Sequence, residues 1–159
     1  MNSLLSTLPV LLPIAVAWVE KQEALLLERG LPLSDVQMGD AHRVGVREPW
    51  RIRLVRVDAL PQPENEDIMF LARHMGFFSP RSVAMTLGYA SCLLPQAWED
   101  RAVLVHEFVH VAQHERMGGI RPFLNIYLRE CIDPGNPFGG LEQEAILVSK
   151  DICRQAKQP

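Results

Sequence analysis

The residues of this chain whose types and spacing could do chemistry are His106-Glu107-Phe108-Val109-His110. On a helix, positions 106 and 110 lie one turn apart, so both imidazoles leave the same face. Two ring nitrogens placed that way can share one zinc ion. Glu107, next to the first of them, can reach a water on the metal as general base. Between Ala102 and Ala112 the one charged side chain besides the histidines is Glu107; the rest is aliphatic or aromatic. A helix that is apolar nearly all round is a buried helix, and polar groups in a buried helix need partners. Two core histidines and an unrelated glutamate would spell the same five letters. An ionised carboxylate in apolar surroundings, however, is costly without a cation near it.

A catalytic zinc takes three protein ligands and keeps a fourth position open for water. A third histidine ten residues after the first is excluded, because position 116 is Arg116 and position 113 is Gln113. A glutamate on a downstream helix fits, through Leu141-Glu142-Gln143-Glu144-Ala145. Glu142 and Glu144 stand roughly 200° apart around a helix, so only one of them can face the metal. Glu142 is preferred, because the small Ala145 one turn on lets two helices approach closely. Glu144 stays open as the alternative, and an acidic first turn complementing the helix dipole would account for either. His114 lies two turns, roughly 12 Å, from His106 and reads as a rim residue in contact with substrate. Tyr127 carries two readings, an oxyanion donor and a packing aromatic with its hydroxyl at the surface.

The elements that must position these residues follow from pattern and punctuation. Leu4 to Val19 is free of charge and runs on into Glu20 to Arg29, so it reads as one buried N-terminal helix stopped by Gly30 and Pro32. It is short for a membrane span, no basic residue precedes it, and Pro9 and Pro13 interrupt it. Membrane-surface association is the lesser alternative. A short helix is expected at Ser34 to Ala41, a strand at Arg51 to Val57, and a helix at Glu64 to Met75. Ser82 to Leu94 is either two antiparallel strands around a bend or one strand bulged at Gly88. The motif helix starts between Pro95 and Asp100 and ends at Gly118-Gly119. Two more helices follow, at Arg121 to Cys131 and Leu141 to about Gln155, separated by a loop of Pro, Gly and Asn.

Composition sets the limits. With 159 residues, 48% hydrophobic and 22% charged, the chain reads as a single domain over residues 1–159 with a sizeable core. A net charge of −3 implies no nucleic-acid partner, and Arg51, Arg53 and Arg56 read as a solvated strand face. Three cysteines, Cys92, Cys131 and Cys153, with no Cys-x-x-Cys, argue against a disulfide framework and for a reducing, cytoplasmic setting.

These residues together resemble the gluzincin division of zinc metallopeptidases, and more closely the small bacterial minigluzincin kind. The resembling pieces are Met85 to Tyr89, His106 to Gln113, Phe123-Leu124 with Tyr127-Leu128, and Glu142 to Ala145, within roughly residues 80 to 150. The family's Glu-x-x-Ala element falls on Glu142 to Ala145. Its customary Asp after that Ala is Ile146 here, so an acid that steadies a ligand histidine is missing or comes from elsewhere. The resemblance implies an α+β, mostly helical zincin-like domain with a small sheet beside the motif helix. It implies Zn²⁺ on His106, His110 and Glu142, Glu107 as the base, and a peptide or protein substrate pairing with an edge strand around Val83 to Ala90, where Gly88 allows close approach. The alternative is a zinc-stabilised binding module of a larger assembly with little or no activity.

Overall fold

The computed structural model describes residues 3–155. The element order is α1 (Ser3–Arg29), β1 (Leu31–Pro32), α2 (Asp35–Arg43), β2 (Arg53–Arg56), α3 (Glu66–His74), β3 (Ala84–Leu87), β4 (Ala90–Leu93), α4 (Arg101–Met117), α5 (Ile120–Glu130) and α6 (Gly140–Gln155). The architecture is α+β, mostly helical, with one small mixed sheet. Its strand order is β1-β2-β4-β3: β2 and β4 run parallel, and the other two pairs are antiparallel. β3 is therefore an edge strand.

Alternation along the strands sorts the core into two halves. Val55, Ala90 and Cys92 face α1, α3 and α5, in a cluster with Leu8, Leu12, Leu71 and Leu124. Leu54 and Leu93, on the opposite face, pack with Phe108, Val111 and Ala112 of α4. The period-2 direction of strand side chains thus puts α4 under one face of the sheet. Val83 to Leu94 resolves as a hairpin, not a bulged strand. Leu87 pairs with Ala90, and Gly88 adopts φ +64°, the positive φ that a two-residue turn needs at its first position. The space above Gly88 is filled from α1: a Cβ there would stand 2.1 Å from Glu23 Oε1. Glu23 also accepts the Tyr89 N–H at 2.8 Å. Gly88 therefore admits Glu23, not an approaching substrate.

α1 is less buried than its composition suggests. Its buried residues form one stripe (Leu8, Leu12, Ala15, Val16, Val19, Leu26), while Val10 is 71% exposed. By length and composition it is long and apolar enough to cross a membrane, and 22% of its most apolar window is buried. The helix continues through Pro9 and Pro13. They stand four residues apart on its exposed side, where each removes one backbone hydrogen bond.

α4 has both of its ends fixed by its own sequence. Asp100 accepts from the N–H groups of Ala102 at 3.0 Å and Val103 at 3.2 Å, satisfying two donors that the helix leaves orphaned. Gly118 ends it at φ +97°, a left-handed cap that favours glycine. Asp40 of α2, buried, takes both Arg101 Nε and Nη2 at 2.9 and 2.8 Å, which ties α2 to the start of α4.

His114 departs from its expected place. It is buried in the second core half, edge-on to Tyr89 with ring centroids 4.8 Å apart, and the Arg51 guanidinium covers the other ring at 4.0 Å. Two turns from His106 along a helix buried all round, it faces packing and not a rim. Burial holds its pKa down at about 4, from an ordinary 6.5, and the Arg51 charge adds to this. The folded state thus keeps His114 neutral, while the unfolded chain takes up a proton below pH 6.5. This contribution to stability is complete above that pH and is lost as the pH falls towards 4, by up to about 2–3 kcal/mol. Urea unfolding followed between pH 7 and pH 4 is expected to show a shallower loss of stability in His114→Leu than in the wild type. Equal slopes would contradict this account of His114.

Candidate metal centre

His106 and His110 leave α4 on one face. Their Nε2 atoms stand 3.2 Å apart. Glu142 of α6 closes the group, with Oε1 2.8 Å from His106 Nε2 and Oε2 3.4 Å from His110 Nε2. One ligand atom from each of the three lies within 4.8 Å of the others. Two nitrogens bound tetrahedrally at about 2.05 Å would lie about 3.3 Å apart, which is the spacing found. The three residues could hold a metal ion.

The protonation pattern fits the same conclusion. Gln113 stands one turn beyond His110. Its Nε2 donates to Leu141 O at 2.8 Å and to Glu144 Oε2 at 3.0 Å. That fixes the amide so that its Oε1 accepts from His110 Nδ1 at 2.9 Å. A hydrogen on Nδ1 leaves the Nε2 lone pair of neutral His110 directed at the cluster. Burial works against charging His110, yet the bond to Glu142 and the Glu107 charge more than offset it, so its pKa lies above the ordinary value. Burial likewise opposes an ionised Glu142, and bonds to both imidazoles hold it well below the ordinary carboxylate range. The centre therefore favours a positive charge among these atoms, and a divalent cation competes with protons for the same lone pairs.

Glu144 is not part of this group. It turns the other way, receiving Arg116 Nη1 at 3.1 Å and Nη2 at 2.9 Å and the Gln113 amide. Of the two glutamates, Glu142 is the one in the group that could hold a metal ion. The packing that allows it is at Ala145, fully buried one turn along. The start of α6 is fixed by Glu130, whose Oε2 accepts from Leu141 N at 2.8 Å. Gly139 makes room for that side chain, since a Cβ there would stand 2.6 Å from Glu130 Cβ.

Glu107 is buried, 7% exposed. Its Oε2 accepts from the Thr86 hydroxyl at 2.5 Å. Thr86 lies on the edge strand β3 and is also 3.3 Å from Ser91 Oγ across the hairpin. The sheet thus holds one oxygen of the carboxylate that α4 supplies. Tyr127 of α5 is half-buried and stacks on Phe123 with centroids 5.3 Å apart. Its hydroxyl is turned inward and donates to Glu142 Oε2 at 3.2 Å, not outward to the surface. Burial pushes its pKa well above the ordinary tyrosine value, and the nearby Cys131 and Glu142 add to that, so the phenol keeps its proton.

Sequence reasoning missed three residues here. Thr86 depends on strand pairing that brings β3 over α4. Gln113 was weighed only as a third ligand; its position three residues after His110 was the available signal for a side chain that orients an imidazole. Arg116 enters only through Glu144. Burial raises Cys92 and Cys131 to about 12, and neither belongs to the group that could hold a metal ion.

Comparisons with protein-family models, with curated proteins and with solved structures return no match for this chain. The functional reading rests on the geometry of these side chains.

Proposed function

We propose that this protein is a zinc-dependent metallopeptidase of the gluzincin type, with His106, His110 and Glu142 as the zinc ligands and Glu107 as general base. The observation that carries the reading is the convergence of two α4 imidazoles and one α6 carboxylate on one point, with a second carboxylate, Glu107, lining the same cavity without joining them. Two imidazoles and one carboxylate suit zinc and also iron(II). A buried, non-ligating carboxylate on the same helix favours hydrolysis. Zinc bound there supplies a Lewis acid for a carbonyl oxygen and brings the pKa of a water towards neutrality.

The chain's own residues supply the rest. Glu107 takes a proton from the attacking water as the water oxygen bonds to the peptide carbonyl carbon, and gives that proton to the leaving amine as the C–N bond breaks. Because the Thr86 hydroxyl holds Oε2, Oε1 is the oxygen left to carry the proton. Gln113 orients His110 in place of the acid that Ile146 does not provide. Tyr127 donates its one O–H to Glu142 in the resting site and, by turning that O–H away from Glu142, bonds the developing oxyanion instead. An extended peptide adds to the free edge of β3, its backbone pairing as a further strand.

Glu107→Gln is expected to keep the metal and to lose about 10²–10⁴-fold in the rate of cleavage of an unstructured peptide. Wild-type cleavage itself should stop with a chelator and return with Zn²⁺. A Gln variant cleaving at the wild-type rate would remove Glu107 from the mechanism. Thr86→Val is expected to lower kcat about tenfold or more with KM little changed, and Thr86→Ser to recover most of it. An effect confined to KM, or no recovery by Ser, would mean that the hydroxyl does not position Glu107.

A further inference from the structure

The centre opens into a cavity of about 710 Å³, within the range of about 300–1,000 Å³ usual for small-molecule sites and larger than any single side chain. Much of its wall is apolar and comes from elements outside the His106-His110-Glu142 group: Trp18 of α1, Leu71 of α3, Met75 and Phe77 just beyond α3, and Phe123 and Leu124 of α5. Much of this wall lies before residue 80, outside the stretch that resembles gluzincins. Trp18, Phe77 and Phe123 are only half-buried, so aromatic surface stays available to an occupant. Phe78, also in the wall, has φ +61° and is the one non-glycine residue with positive φ among the described residues. A non-glycine residue in that region is strained, and here it sits in the loop that shapes the cavity. The charged groups in the lining, apart from the histidines, are Glu107 and Glu142 at the centre and two exposed cations, Arg81 and Lys150.

Resting on the peptidase reading, we propose that this chamber selects the substrate class: extended peptide segments with bulky apolar side chains at alternate positions, i and i+2. A strand added to β3 presents alternate side chains to one face, and the chamber has room for two of them together. Such segments are buried in folded proteins and exposed on unfolding, so the substrates are non-native or loosely structured apolar stretches. Basic side chains are disfavoured, because they would lose hydration in an apolar chamber that carries cations at its edge.

The test separates binding from cleavage. Glu107→Gln protein, loaded with Zn²⁺, is titrated into fluorescein-labelled decapeptides that differ only at i and i+2: Leu/Leu, Leu/Ser, Ser/Leu, Ser/Ser and Lys/Lys. Anisotropy is expected to show Leu/Leu bound at least about tenfold tighter than Ser/Ser, the single-Leu peptides between them, and Lys/Lys weakest. Ala72→Phe, which fills the chamber from α3, is expected to shrink the Leu/Leu advantage. If that variant misfolds, the peptide series on the parent protein decides alone. Affinities equal within twofold across the series would overturn the chamber's role. Wild-type cleavage of the same peptides is read in parallel. Cleavage without side-chain preference overturns this proposal and leaves the peptidase reading intact. Selective binding with no cleavage supports the chamber and overturns the peptidase reading.

Discussion

Three electron-pair donors, His106, His110 and Glu142, are packed within 4.8 Å of one another between two helices, and a proton or cation among them offsets their mutual repulsion. Coulomb repulsion and desolvation both rise as water is excluded. The opposed pKa shifts of His110 and Glu142 are the electrostatic trace of that offset. Much of the chain can be understood as the scaffold that forces the donors together.

The scaffold works by fixing ends and leaving little freedom between them. Asp100 and Gly118 define where α4 begins and stops, and Asp40 ties its first turn to α2. Glu130 anchors the first turn of α6, so Glu142 is placed from a secured helix start and not from the irregular segment before it. Ala145 lets α6 come close. Behind these donors runs a chain of polar contacts from His110 to Gln113, Glu144 and Arg116, which ends at the surface. Each buried member has a partner, and this makes a polar cluster tolerable in an apolar helix. The edge strand β3 reaches the same site from the sheet side through Thr86 and Glu107.

The parts of this arrangement that were legible in the sequence were local. The 106/110 spacing is a property of any helix, and the preference for Glu142 over Glu144 followed from helix angle and the size of Ala145. Helix limits marked by Asp100, Gly118 and Gly30 also lay in the sequence. What was not legible depended on packing across elements. His114 shares the polarity of the motif but points to Tyr89, because a helix buried all round has two faces to satisfy. Gly88 looked like space for a substrate and is taken by Glu23, 65 residues earlier in the chain. α1 was expected to be buried from its lack of charge, yet only one stripe of it packs; composition alone does not say how many neighbours a helix has. The part of the cavity wall drawn from α1 and α3 has no motif at all.

The most direct measurement is the metal content of purified, zinc-repleted protein by elemental mass spectrometry, for the wild type and for His106→Ala and Glu142→Ala. The account requires about one zinc per wild-type chain and little or none in either variant, with all three proteins folded by circular dichroism. No zinc in the folded wild type, or an undiminished zinc content in the folded variants, would contradict the assignment of His106, His110 and Glu142 as the centre on which the rest depends.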